Sequence, residues 1–280
     1  MKNLLLGPFA QQSRTAVLFR ILLVLLLTVF TQIGGLCIWP TLSLNRDNIG
    51  WKYRLQRWFY PIGAYLLGCL VLMPSLAPLW SMTPLPCDSS HYLQPRTSLT
   101  CLMNRQYLKS DSATSIIKVS QRMQRIYPRS RMHYFDANFP IPYMHMLPHL
   151  NHSKGDALDL SFLWRTPKGK AFSPSPSPIG YLGFAKPDQP RVCHSQDIYR
   201  IWGSLALKLR WDFNFLQPLF PNRELDIIKN KTLISFLSQQ AGVRFITIEP
   251  HLHPLLSHKK VIANSCKLAR HDDHMLILFH

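Results

Sequence analysis

Two stretches of the chain contain no charged side chain: Ile21 to Trp39 (ILLVLLLTVFTQIGGLCIW) and Phe59 to Trp80 (FYPIGAYLLGCLVLMPSLAPLW). Each is close to the ~20 residues that an α-helix needs to cross the hydrocarbon core of a bilayer. Trp39, Trp58, Tyr60 and Trp80 stand at their ends, where amphipathic rings sit at a membrane interface. The first stretch exceeds the ~7–15 apolar residues of a cleaved signal core, and a second stretch follows it. The pattern therefore predicts a membrane anchor over residues 1–80 with two transmembrane helices, at about 21–39 and 59–80. Pro74 and Pro78 predict a kink or an early end to the second.

Only 16% of the 280 residues are charged and 47% are hydrophobic, against about 25% charged in an ordinary soluble domain. The net charge is +18, which favours anionic partners. Between the apolar stretches lie Arg46, Lys52, Arg54 and Arg57 with one acid, Asp47, whereas Ser81 to Pro95 holds no Lys or Arg. Basic loops stay in the cytoplasm, so this asymmetry places the short loop inside, and the N-terminus and C-terminal domain outside. The four cysteines beyond the anchor suit an exported domain with two disulfides, and Cys87–Cys101 with Cys193–Cys266 is the preferred pairing. Cys37 and Cys69 read as small apolar residues within the spans. None of the four has CxxC spacing, so a cysteine zinc site is not expected.

After a proline-bearing connector, residues 81–108, the pattern reads as one α+β domain over 109–280 without repeats. A helix capped by Ser110 or Asp111 runs towards Tyr127, with Ile116, Ile117, Val119, Met123 and Ile126 on one face. A second helix covers Leu225–Gln240. Strands are expected at Met132–Asn138, Ala157–Trp164, Ile179–Phe184 and Val243–Ile248, with a loop from Arg165 to Pro178, where SPSPSP cannot form a ladder. Arg122, Arg125, Arg129 and Arg131 form a basic group. No helix-turn-helix or aromatic RNA-binding motif accompanies it, so nucleic acid is not an expected partner.

Two histidine clusters carry the chemistry: PHLNHSKGDALDLSF, with His149, His152 and Asp159, and ARHDDHMLILF, with His271 and His274. Imidazole and carboxylate are zinc ligands, and a catalytic zinc keeps one position open for water. Gly155 lets the backbone turn between His152 and Asp159. Alternation then puts Leu158 and Leu160 on one face of a strand and Asp159 on the other. Glu249 and His251 follow the Val243–Ile248 strand and are candidates to orient a ligand or water.

The first cluster resembles the P-H-x-x-H-x-x-G-x-x-x-D signature of the penicillin-insensitive murein endopeptidases and their D-Ala-D-Ala metallopeptidase, lysostaphin and hedgehog relatives. The second is similar to their C-terminal H-x-x-H-x-H, with Leu276 at the last position. The resemblance implies a compact zinc-peptidase-like domain with an antiparallel sheet, held on the bacterial inner membrane and facing the periplasm. It implies His152 and Asp159 as zinc ligands, and His274 and His149 as catalytic histidines. The substrate it implies is peptide bonds in peptidoglycan. Because Leu276 cannot bind metal, three readings stand side by side. The domain is an inactive wall-binding module, or it recruits another ligand such as His271, His274 or His280, or the reading frame slips after Met275. The oligomeric state is not set by any of these features.

Overall fold

The computed structural model describes residues 14–42, 51–144, 146, 152–185, 213–263 and 271–280. The chain begins with helices α1 (Arg14–Thr31), α2 (Gly34–Leu42) and α3 (Trp51–Leu67). The last continues through a π-helical turn, Gly68–Leu72, into α4 (Met73–Leu76) and a 3-10 turn, Ala77–Trp80.

The first apolar stretch is not one continuous helix, which corrects the 21–39 span. The Thr28 and Thr31 hydroxyls donate back to the Val24 and Leu27 carbonyls, a pattern that bends helices, and Gln32 then takes φ 67°. From there α2 turns back along α1. A Cβ on Gly35 would lie 2.0 Å from Thr28 Oγ1 and 2.4 Å from the Val24 carbonyl oxygen. In an unbroken helix, residues 24 and 35 would be about 16 Å apart. The Gln32 side chain at this turn grips the domain. Its Nε2 donates to the Ile141 carbonyl (2.6 Å) and its Oε1 accepts from the Ile141 amide (3.1 Å).

Among the described residues one helix, Phe59–Trp80, is long and apolar enough to cross a membrane, and Val17–Thr31 is a shorter apolar one. Cys69, Met73 and Ala77 recur every four residues and bury one stripe of the longer helix against Ile33, Met82 and Tyr107. Leu67, Leu70, Val71 and Leu79 are exposed.

The domain is α+β. Its strands are β1 (Met82–Pro84), β2 (Leu93–Pro95), β3 (Tyr107–Lys109), β4 (Met132–Tyr134), β5 (Ala157–Ser161), β6 (Trp164–Arg165), β7 (Ala171–Phe172), β8 (Glu224–Leu225), β9 (Val243–Ile248), β10 (Val261–Ala263) and β11 (His274–Phe279). Its helices are α5 (Ser98–Leu102), α6 (Ser110–Ile126), α7 (Ile227–Gln239) and α8 (His253–Leu256). Residues 81–108, read from the sequence as a connector, supply β1, β2, α5 and β3. A disulfide joins Cys87 to Cys101. Cys193 and Cys266 lie outside the described residues.

The main sheet has the order β10-β9-β11-β5-β4-β2. It is mixed rather than antiparallel. β9–β11, β11–β5 and β5–β4 run antiparallel, while β2–β4 and β9–β10 are parallel. Both parallel pairs are joined by connections that contain helix, as parallel neighbours require. One face carries Leu158, Leu160, Ile246, Ile248, Met275 and Ile277. It packs on Ile116, Val119 and Met123 of α6 and on Leu233, Ile234 and Leu237 of α7. Ile126, expected on that stripe, is exposed.

Other boundaries shift as well. No side chain caps α6, where Lys109 is the first flanking residue, whereas Asp226 caps α7 by accepting from the Lys229 amide. Ile179–Phe184 is not a strand but an irregular segment across the other face of the sheet, held by a carboxylate described below.

Candidate metal site

The face of the sheet opposite the core carries Asp159 on β5 and His274 on β11. In the antiparallel register, Leu276 lies directly opposite Asp159 and also opposite Thr247 of β9. Asp159, His274 and Leu276 therefore point to the same side, by the period of two along a strand.

His152 reaches this face from the turn before β5. Its Nδ1–H donates to the Ala137 carbonyl, and its Nε2 lies 3.4 Å from Asp159 Oδ1. His274 is arranged the same way. Its Nδ1–H donates to the Gly180 carbonyl (3.1 Å), and its Nε2 lies 3.8 Å from the same Asp159 Oδ1. Pinning Nδ1 to a backbone carbonyl fixes the tautomer and orientation of an imidazole, as is usual for histidines whose Nε2 binds metal. Burial pulls the His152 pKa down, but the Asp159 carboxylate, the Ala137 carbonyl and Asp136 together more than reverse this, so it is raised. His271 completes the group, its ring centroid 4.8 Å from that of His274. Asp159, His271 and His274 offer ligand atoms within 4.8 Å of one another. Asp159 and His152 are 0% exposed, His274 1% and His271 3%.

A second group, Glu249, His251 and Asp272, meets the same distance criterion. Glu249 Oε1 accepts from the His271 amide (3.1 Å), which ties the two groups together. His251 Nε2–H donates to the Ala185 carbonyl and lies 3.8 Å from Asp272 Oδ1. Both groups can hold a metal ion by donor type and spacing. Of the residues singled out from the sequence, His152, Asp159, His271 and His274 come together, with Glu249 and His251 beside them. His149 lies outside the described residues.

Leu276 is 2% exposed. The residues around it form a well-packed strand, with Met275, Ile277 and Phe279 in the core. The ending LILF is apolar throughout, as suits a strand covered on both faces.

Sequence reasoning missed what holds the site together. Asp273 projects to the covering segment, where its carboxylate accepts from three successive amides: Leu182 (2.7 Å), Gly183 (2.9 Å) and Phe184 (2.6 Å). Burial pushes this carboxyl up, against the pull of the three donors. The anchored segment brings in Gly180, whose φ of 85° aims its carbonyl at His274 and whose missing Cβ would lie 3.2 Å from His274 Nδ1. It also brings Tyr181 edge-on to His274, with Phe135 on another side, each ring centroid 5.7 Å away. The only signal for this in the sequence is the second of two consecutive aspartates in HDDH.

No protein-family model and no curated protein matches the chain.

Proposed function

We propose that this is a membrane-anchored, zinc-dependent peptidase-like protein that hydrolyses peptide bonds in peptidoglycan. The observation that carries the reading is the convergence of His152 Nε2 and His274 Nε2 on one oxygen of Asp159, each ring pinned through Nδ1. Carboxylate plus imidazole is a donor set that suits zinc, and His271 stands where it can take the place of the histidine replaced by Leu276. A bound zinc would lower the pKa of its water and polarise a carbonyl. The chain's own part is to hold the tautomers, exclude bulk water and keep a histidine within reach of the reacting groups. His152, Asp159 and His271 would hold the metal, and His274 would pass the proton.

The membrane placement rests on the exposed apolar face of Phe59–Trp80 and on charge. Both α1 and α3 end at the domain, α1 through Gln32 and α3 through Tyr65, whose hydroxyl donates to the Leu102 carbonyl. The far ends of these helices therefore collect Arg14, Arg20, Lys52, Arg54 and Arg57 on one side. The positive-inside rule makes that side cytoplasmic and the domain periplasmic. In this arrangement α1 and α2 form a re-entrant hairpin beside one span, and the N-terminus is inside. A persistent disulfide fits the oxidising side.

The full burial of the four residues favours a second reading, an inactive wall-binding module. Metal analysis of the full chain in detergent, followed by murein digestion, separates the two. The proposed enzyme retains about one zinc, loses it in Asp159→Asn, and releases soluble muropeptides. Leu276→His adds a donor opposite Asp159 and should tighten zinc retention. A chain that binds murein but takes up no zinc, even after loading, would overturn the proposal.

A further inference from the structure

The four residues of the candidate site, His152, Asp159, His271 and His274, are all buried. An ion or a peptide reaches them only if something over that face of the sheet moves. Residues 177–185 cross this face and contain neither helix nor strand. Tyr181 and Leu182 in this segment are buried, whereas Ile179 is exposed, so the segment reaches the surface.

The bonds that hold the segment come mainly from side chains of the site itself. Asp273 accepts from the Leu182, Gly183 and Phe184 amides, His274 Nδ1–H donates to the Gly180 carbonyl, and His251 Nε2–H donates to the Ala185 carbonyl. Among the described residues, the one main-chain bond to the segment from elsewhere is from the Phe213 amide to the Tyr181 carbonyl (3.0 Å). A strand in a sheet is held by a row of separate main-chain bonds. Here three bonds share one carboxylate, so its withdrawal frees three successive residues at once. Gly180 and Gly183, at φ 85° and 72°, give the segment two points at which the backbone can rotate without a side chain in the way.

We propose that residues 177–185 are a lid, latched by Asp273, that lifts as a unit to admit metal and substrate. Closing it returns the Gly180 carbonyl to His274, so the contact that shuts the site also fixes the tautomer and orientation of that histidine. Opening serves entry and closure serves the chemistry, as in other enzymes whose covering loops complete the site. The inference rests on the metal-site reading for what enters, whereas the movement itself is measured without metal.

Hydrogen exchange followed by mass spectrometry reads the movement in the metal-free full chain in detergent. The Leu182, Gly183 and Phe184 amides should exchange about 100-fold faster than those of β5 and β11, because local opening costs less than global unfolding. Asp273→Asn keeps the shape of the latch but replaces one acceptor oxygen with a donor. It should raise this ratio by about tenfold, the scale of one buried N–H left without an acceptor. Ser177→Ala removes the hydroxyl that accepts from the Gly180 amide (2.9 Å) and leaves Asp273 in place. It should raise the ratio by about threefold, which covers the case in which Asp273→Asn fails to fold. Zinc uptake by the metal-free chain, followed by stopped flow, should level off as zinc is raised, because opening then limits the rate. Lid amides that exchange no faster than those of β5 and β11, a ratio unchanged in both variants, or uptake that rises in proportion to zinc throughout would overturn the proposal. A chain that takes up no zinc yet shows the fast, Asp273-dependent exchange would sink only the peptidase reading.

Discussion

Asp273 is the residue on which the geometry of the candidate site most depends, although it is not a candidate ligand. Its carboxylate holds three successive amides, and through them the Gly180 carbonyl that orients His274. Asp273→Ala leaves buried N–H groups unsatisfied, at a cost of about 3 kcal/mol or more. It should also lower murein digestion by about 10–100-fold, the usual effect of losing a group that orients a histidine of the site. Thermal unfolding and murein digestion measure the two effects separately. A different residue makes the fold sensitive to acid. His133 is buried on β4 near Arg96 and Arg131, its Nε2 2.9 Å from Gln94 Nε2, and burial followed by those two charges lowers its pKa from 6.5 to about 4. The unfolded chain therefore binds this proton more readily than the folded one. The contribution is complete above about pH 6.5 and is lost as the pH falls towards 4, amounting to about 3 kcal/mol. Denaturant midpoints at pH 7 and 4.5 should converge in His133→Gln relative to the parent. At this scale the motif residues were legible, because His152, Asp159, His271 and His274 are chemically distinctive and regularly spaced. Asp273 was not, because an anchoring aspartate has the same appearance as its neighbour Asp272 until the segment that it holds is in place.

At the scale of elements, long periodic segments were read well and their ends less so. The helix read as Leu225–Gln240 is Ile227–Gln239, and the strand Val243–Ile248 has the bounds expected of it. Ile179–Phe184 has the apolar content of a strand, but its amides are taken by a carboxylate instead of a neighbouring strand. The first apolar stretch shows the same override. Hydropathy measures how apolar a segment is, not whether it stays straight, and the reversal at Gln32 depends on threonine back-bonding and a close approach at Gly35. Gly35→Val should therefore force the α1–α2 pair apart, at about 3 kcal/mol, the upper part of the usual overpacking range. Gly63→Val is the control, since a Cβ there meets nothing within 4 Å. Thermal unfolding in detergent should lower the melting temperature of the first variant only.

For the whole molecule, the membrane placement proposed above, combined with the arrangement of helices around the domain, argues for a topology other than the expected one. From loop charges alone, the N-terminus belongs outside. Once α1 is seen to run towards the domain and α2 back from it, the start of α1 and the start of α3 lie on the same side, away from the domain. Lys168, in an exposed turn of the domain, is a suitable reporter. A Lys168→Cys variant should react with a membrane-impermeant maleimide in cells whose outer membrane is permeabilised. Thr15→Cys, at the start of α1, should react only after the inner membrane is opened. Labelling of both from outside would restore the two-span topology.

Composition and order along the chain by themselves determined the apolar N-terminal region, the α+β character of the domain, the first disulfide and the histidine and aspartate residues worth following. These depend on local properties: run length, periodicity and the spacing of reactive side chains. Only the tertiary structure decided that the first apolar run doubles back, that the sheet is mixed, and that Leu276 faces Asp159 while His271 approaches it. Each of these depends on contacts between residues far apart in sequence, where strand register and backbone hydrogen bonds, not local preference, set which groups meet.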